Sequence, residues 1–299
     1  MFSRSATARL AALTLLTLLA VPGSALAAQY GAWQTAINAE DVTGTSWELN
    51  TVAVDGCPIL SPDGLRLYMA SSRTGGLGGL DIWVAERSSP DAAFGAPVNV
   101  GAPINSDADD FCPTPVRGKG LFFVSTRVVA GACGAGDIYF ARDNPGEGWT
   151  APENLGCQVN TAGGEAGPSF FESDGAGWLY FSSGPDIYAS PLQPDGSFGA
   201  ASPVAELNSS AGDLRPNVRR GGLEIVFDSN RDGTLGGQDL YFATRSSVAD
   251  AWSAPFNAGS ALNTAANETR GSFSWDGLTL LFGRAPGPEG STDIFVSTR

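Results

Sequence analysis

Five acids recur at matched positions along this chain and pose its first chemical question. Each lies five residues after an asparagine, in a phrase that reads apolar–Asn–Ser/Thr, three variable residues, acid, two variable residues, then Pro or Gly. The acids are Asp55, Asp110, Glu165, Asp213 and Glu268. Their asparagines, Asn50, Asn105, Asn160, Asn208 and Asn263, are separated by 55, 55, 48 and 55 residues. Gathered around one mouth of a channel, five carboxylates could hold a cation or orient a peptide. Each could instead accept a local hydrogen bond from neighbouring backbone. Symmetry favours the local use, because ligands are not five-fold symmetric.

The position two residues after each acid breaks the symmetry. It holds Cys57, Cys112, Gly167, Arg215 and Arg270. In an extended strand, residues two apart share a face, so these side chains should border the same mouth. Arg215 and Arg270, on adjacent repeats, are the candidates for contacting an acidic group on a ligand; the competing use is pairing with Asp213 and Glu268. Cys57 and Cys112 occupy equivalent places, and a bridge between them requires Cα atoms roughly 4.4–6.8 Å apart, which only a narrow channel end allows. Cys133 and Cys157 would then pair, although other connectivities stay open. The spacings do not resemble a zinc site.

Further acids have weaker claims. Arg73, Arg127, Arg231 and Arg284 end a strand in four repeats, and each is expected to face an Asp that opens the next strand; repeat three has Gly184 instead. A catalytic Asp is not needed five times, so a hairpin ion pair or an Asp accepting loop N–H groups is the simpler reading. Calcium could bind at residues 230–233 or 107–110, yet neither segment has the full spacing of a calcium loop, and no cofactor is expected. Glu172, Glu206 and Trp178 have no counterparts in most repeats. Glycoside hydrolysis needs two carboxyls around the scissile bond, and such a pair could be drawn from the five recurring acids or from Glu172 and Glu206.

The elements that position these groups read as strands. Dense apolar stretches, such as residues 65–70, 121–124, 178–181, 223–227 and 278–282, are rich in aromatic and branched residues. A Gly-rich loop follows each, then Asp with an apolar–aromatic pair (Asp81-Ile82-Trp83 is the first), then a segment opening on Phe94, Trp149, Phe198 or Trp252. Four short antiparallel strands per repeat is the content of one propeller blade. The last repeat ends after its third strand, while residues 33–38 align with 149–154 and 252–257. The sequence therefore predicts an all-β, five-bladed propeller closed by an N-terminal strand that completes the last blade, which removes a sheet edge.

Composition narrows the function classes. The 299 residues carry a net charge of −14, one lysine (Lys119) and no histidine. A polyanion such as nucleic acid would be repelled, and histidine-based triads, metal sites and pH switches are excluded. Arg4 and Arg9, an apolar run from Leu10 to Val21 and Ala25-Leu26-Ala27 read as a signal peptide over residues 1–27. Residues 28–299 are expected to form one domain, exported to periplasm or medium, with disulfides, no membrane span, and a monomeric state.

The runs Leu60-Ser61-Pro62-Asp63-Gly64, Tyr68-Met69-Ala70-Ser71-Ser72-Arg73 and Asp81-Ile82-Trp83, with their counterparts in later repeats, resemble the PD40 (WD40-like) repeat of TolB-like propellers, without TolB's extra N-terminal domain. The resemblance implies a non-enzymatic binding scaffold that engages a peptide, a protein or a cell-envelope component at one face of the channel. The alternative is a carbohydrate-active propeller that binds or hydrolyses glycans.

Overall fold

In a computed structural model of the protein, residues 31–173 and 175–299 are described; the expected leader over residues 1–27 lies outside them. Five four-stranded antiparallel sheets are arranged as blades. The inner strands are Asp55–Leu60, Asp110–Val116, Glu165–Ser173, Asp213–Val218 and Asn267–Phe273. The second strands are Arg66–Ser71, Gly120–Ser125, Ala176–Ser183, Glu224–Ser229 and Thr279–Ala285. The third are Asp81–Glu86, Asp137–Ala141, Asp186–Pro191, Asp239–Thr244 and Asp293–Thr298. Outer strands are two residues long, Val98–Asn99 in blade one, for example.

The ring closes through its ends. Ile37–Asn38 pairs antiparallel with the third strand of blade five, Ile37 opposite Val296 and Asn38 opposite Phe295. Each fourth segment also sends its leading aromatic between blades. Trp252 of blade four meets Tyr180 of blade three edge-on, with ring centroids 6.2 Å apart. Trp33 stacks on Phe242 of blade four at the same distance. Phe94, Trp149 and Phe198 fill the corresponding seams. The apolar core is thus a circle of inter-blade clusters, which is why the aromatics recur at one place per repeat.

The repeated asparagine is a clamp between blades. Asn105 accepts the Ile82 N–H at 2.8 Å and donates to the Ile82 carbonyl at 2.8 Å. Asn160, Asn208 and Asn263 hold Ile138, Ile187 and Leu240 in the same way. Asn50 does so for Ile294 of blade five, across the closure. The apolar residue before each asparagine (Leu49, Ile104, Val159, Leu207, Leu262) is fully buried. An amide fits because it supplies one donor and one acceptor to a single residue's backbone.

One feature of the inner strands departs from the sequence expectation. Pairing with the second strand shifts register just after every acid, for instance between Gly56 and Ile59 and between Leu214 and Asn217. At that point Cys57, Cys112, Gly167, Arg215 and Arg270 all have positive φ, between 48° and 61°. The strand bulges there, so the two-residue rule for sharing a face does not hold. The bulges converge at the axis. Cα atoms of Cys57 and Cys112 are 4.9 Å apart. A side chain at Gly167 would bring its Cβ to 2.6 Å from the Arg215 Cα. The axial space inside this ring is only about 30 Å³, so the disc has two separate mouths.

Candidate functional site

The five acids are not free carboxylates at a mouth. Asp55, Asp110, Asp213 and Glu268 have no exposed surface, and Glu165 almost none. Each accepts hydrogen bonds from the backbone N–H and the hydroxyl of the Ser or Thr four residues earlier; for Asp110 these come from Ser106, both at 2.7 Å. In four blades the arginine ending the second strand completes the network. Arg73 reaches Asp55 at 2.5 Å, Arg127 reaches Asp110 at 2.7 Å, and Arg284 reaches Glu268 at 2.7 Å. Arg231 pairs likewise with Asp213. These arginines also donate to carbonyls such as Leu49 and Leu207. The expectation that they face the Asp of the third strand is corrected: that Asp accepts loop N–H groups. Asp137, for example, takes those of Cys133 and Gly134 and the amide of Asn154. Blade three lacks the arginine, and there burial pushes the Glu165 carboxyl up, with one oxygen left without a partner.

The symmetry-breaking positions behave differently. Cys57 and Cys112 form a disulfide, and Cys133 pairs with Cys157. Arg215 reaches neither Asp213 nor Glu268. Its Nε donates to Asp228 at 3.0 Å, a second nitrogen completes a bidentate pair with the same carboxylate, and Gln238 Oε1 accepts at 2.9 Å. Asp228 also accepts the backbone N–H of Arg270 at 2.9 Å. The sequence reading missed Asp228. Its signal was an acid inside a buried strand, where the other blades carry Ala70, Val124, Ser182 and Gly283.

Arg270 is therefore the odd charge. Among the described residues none forms a hydrogen bond or ion pair with its guanidinium, although protein surrounds it and only part of its surface is exposed. Burial, with repulsion from Arg215 next, pulls it down to about 10 against the attraction of Asp228. Two guanidiniums share one carboxylate, which leaves one positive charge uncompensated at the axis.

That charge forms the floor of the acid-side mouth, an open cavity of about 490 Å³ lined by Val54, Asn230, Gln238, Asn267, Thr269 and Thr292, with Arg215 and Arg270 beneath. The opposite mouth encloses about 330 Å³ beside Trp275, Asn217 and Glu172. Around it Lys119 pairs with Glu172 at 2.6 Å, Arg219 pairs with Glu224 at 3.2 Å and Arg220 lies over the Trp275 ring at 4.7 Å, while Arg117 also lines it.

The structure does not bring Glu172 and Glu206 together. Glu172 ends the inner strand of blade three, whereas Glu206 lies in the connection entering blade four from the acid side. Trp178 packs into the seam between those blades, outside both cavities. In the two segments considered for calcium, Asn230 accepts the Gly212 N–H, Asp109 accepts that of Leu80, and Asp110 is paired as above. Among the described residues no three acids or cysteines cluster to hold a metal, and no helix is long and apolar enough to cross a membrane. The two disulfides fit export to an oxidising compartment.

No family model matches the chain, and no curated protein does. Solved structures align over nearly all of it. An α-L-arabinofuranosidase from Podospora anserina in complex with cellotriose superposes with a TM-score of 0.56 at 12% identity, covering 90% of this chain and 96% of its own. A GH62 hydrolase in complex with xylotriose gives 0.58 at 13%, covering 92% and 99%. A GH43 endo-arabinanase from Bacillus licheniformis gives 0.54 at 13%, covering 84% and 96%. At such identities the likeness shows the fold. These neighbours are glycoside hydrolase propellers, and they overturn the PD40 and TolB-like assignment and the non-enzymatic, protein-binding scaffold drawn from it. The repeat phrases behind that assignment are accounted for by the clamps and buried networks described above.

Proposed function

We propose that this protein is a carbohydrate-active propeller that takes an oligosaccharide at the acid-side mouth. The observation that carries the reading is its end-to-end structural likeness to propellers whose solved complexes contain cellotriose and xylotriose. The mouth supports it: three amide side chains and two threonine hydroxyls ring a rigid opening, a lining suited to a hydroxyl-rich ligand that needs orientation by hydrogen bonds. Glycoside hydrolysis uses two carboxyl groups around the bond, and the lining of this mouth contains none. Glycan binding is the activity its residues support most directly, and cleavage should be scored alongside it.

The test is a panel of arabino-, xylo- and cello-oligosaccharides, neutral and uronate-bearing, measured by calorimetry for binding and by reducing-sugar release for cleavage. Binding that weakens in Gln238→Ala supports the reading. If no member of the panel binds or is cleaved, the reading fails.

A further inference from the structure

We infer that the acid-side mouth selects acidic glycans, and that the Arg270 guanidinium receives the carboxylate of a uronic acid residue. The inference rests on the carbohydrate reading and names its substrate class. Three observations carry it. First, among the described residues the Arg270 guanidinium has no acceptor, while its charged axial neighbours are engaged: Arg215 by Asp228 and Gln238, and Asp228 by Arg215 and the Arg270 N–H. A buried cation left unpaired is costly, and an incoming carboxylate would satisfy it through a two-pronged guanidinium pair.

Second, the amide oxygens of the rim are already engaged. Asn230 Oδ1 is taken by the Gly212 N–H at 2.7 Å, Gln238 Oε1 by Arg215 at 2.9 Å, and Asn267 Oδ1 by the Gln238 N–H at 2.9 Å. Their oxygens being fixed, the amide nitrogens of Asn230 and Gln238 are left to donate. Donors around a cation suit an anion.

Third, the mouth runs against the charge of the whole molecule. In a chain of net charge −14, two arginines and no acid line this cavity. The opposite mouth also carries cations, Arg117, Arg219 and Arg220, but its lining includes the carboxylate of Glu172.

The experiment compares a xylo-oligosaccharide bearing a glucuronic acid side group with its neutral parent, and with a sulfate-ester analogue, by calorimetry on the full chain. The uronate-bearing sugar should bind at least about tenfold more tightly than the parent, the scale of one charge-assisted contact. Salt should narrow the gap. Arg270→Gln should bring the two affinities together. Asn230→Asp keeps the oxygen that accepts Gly212 N–H, so the loop is undisturbed, yet it places a carboxylate at the rim. It should weaken the acidic sugar and spare the neutral one, and it provides the test if Arg270→Gln fails to fold. Equal binding of acidic and neutral sugars by the unaltered protein, or a gap that survives both substitutions, overturns the inference and leaves the carbohydrate reading standing. Stronger binding of the sulfate ester than of the uronate overturns the choice of uronate. Failure of all three sugars to bind sinks both readings.

Discussion

Replacing Arg270 with glycine should make the protein more stable. Two costs are removed together. The fall of the guanidinium to about 10 corresponds to roughly 3 kcal/mol of unfavourable charge burial. The backbone at φ 61° adds about 1 kcal/mol for a residue with a Cβ, which glycine avoids. Against these gains stands the packing of the arginine stem, about 1–2 kcal/mol. The expected net gain is therefore on the order of 2 kcal/mol, and at about 2–4 °C per kcal/mol in chains of this size the midpoint should rise by roughly 4–8 °C. Thermal and guanidinium unfolding would measure it, with Arg270→Ala as a partner variant that keeps the strain and gains about 1 kcal/mol less. A glycine variant less stable than the parent would refute the reasoning, because it would mean that the guanidinium holds the throat together. A residue retained at a cost to stability is what a binding site would leave behind.

Other perturbations should act in the opposite sense. Arg231→Ala leaves Asp213 buried without its partner, and a loss of about 3–5 kcal/mol is expected by denaturant titration; a change below 1 kcal/mol would show that the pair is dispensable. Cutting the 55-residue loop closed by Cys57–Cys112 with Cys57→Ser and Cys112→Ser should cost up to about 4 kcal/mol by chain entropy, read from the same titration. Near the ring closure, burial raises the Glu40 carboxyl to about 7, the Asn50 N–H opposes, and the Glu289 carboxyl adds to the rise. The folded chain thus holds this proton more tightly than the unfolded chain, which titrates near 4.5. The associated stability is fully present below pH 4.5 and is lost as pH rises through 7. Glu40→Gln should flatten that part of the stability profile; an unchanged slope would assign it to other groups.

Much of the architecture was legible because the physics repeats. Apolar–Asn–Ser/Thr–acid recurs since every blade must be clamped to its neighbour by an amide and must bury an acid beneath two local donors. The match between Trp33–Asn38 and Trp149–Asn154 gave away the closure because each seam needs the same aromatic wedge. What escaped was geometry that spacing does not encode. A one-residue bulge in each inner strand redirects the second position after the acid, so the period-two rule does not describe where those side chains go. The arginines were assigned to the sequence-near Asp across the hairpin, whereas the fold gives them the acid on the adjacent inner strand.

The same contrast locates the site. Whatever the protein does in every blade, it does for the fold: the acids and the clamping asparagines are consumed internally in all five, and the loop aspartates in four. At the bulge ring the five positions do three different things. Two are cross-linked, one is reduced to glycine because the neighbouring backbone occupies the space of a Cβ, and two carry arginine. Cross-link and glycine explain themselves as closure of a narrow axis, and Arg215 is explained by Asp228. Arg270 alone is left with a charge that nothing in the described fold requires, and it faces a mouth whose lining holds no acid. A partner for that charge must come from outside the chain, and in a rigid ring with amides above it the simplest such partner is an anionic group carried on a hydroxyl-rich ligand.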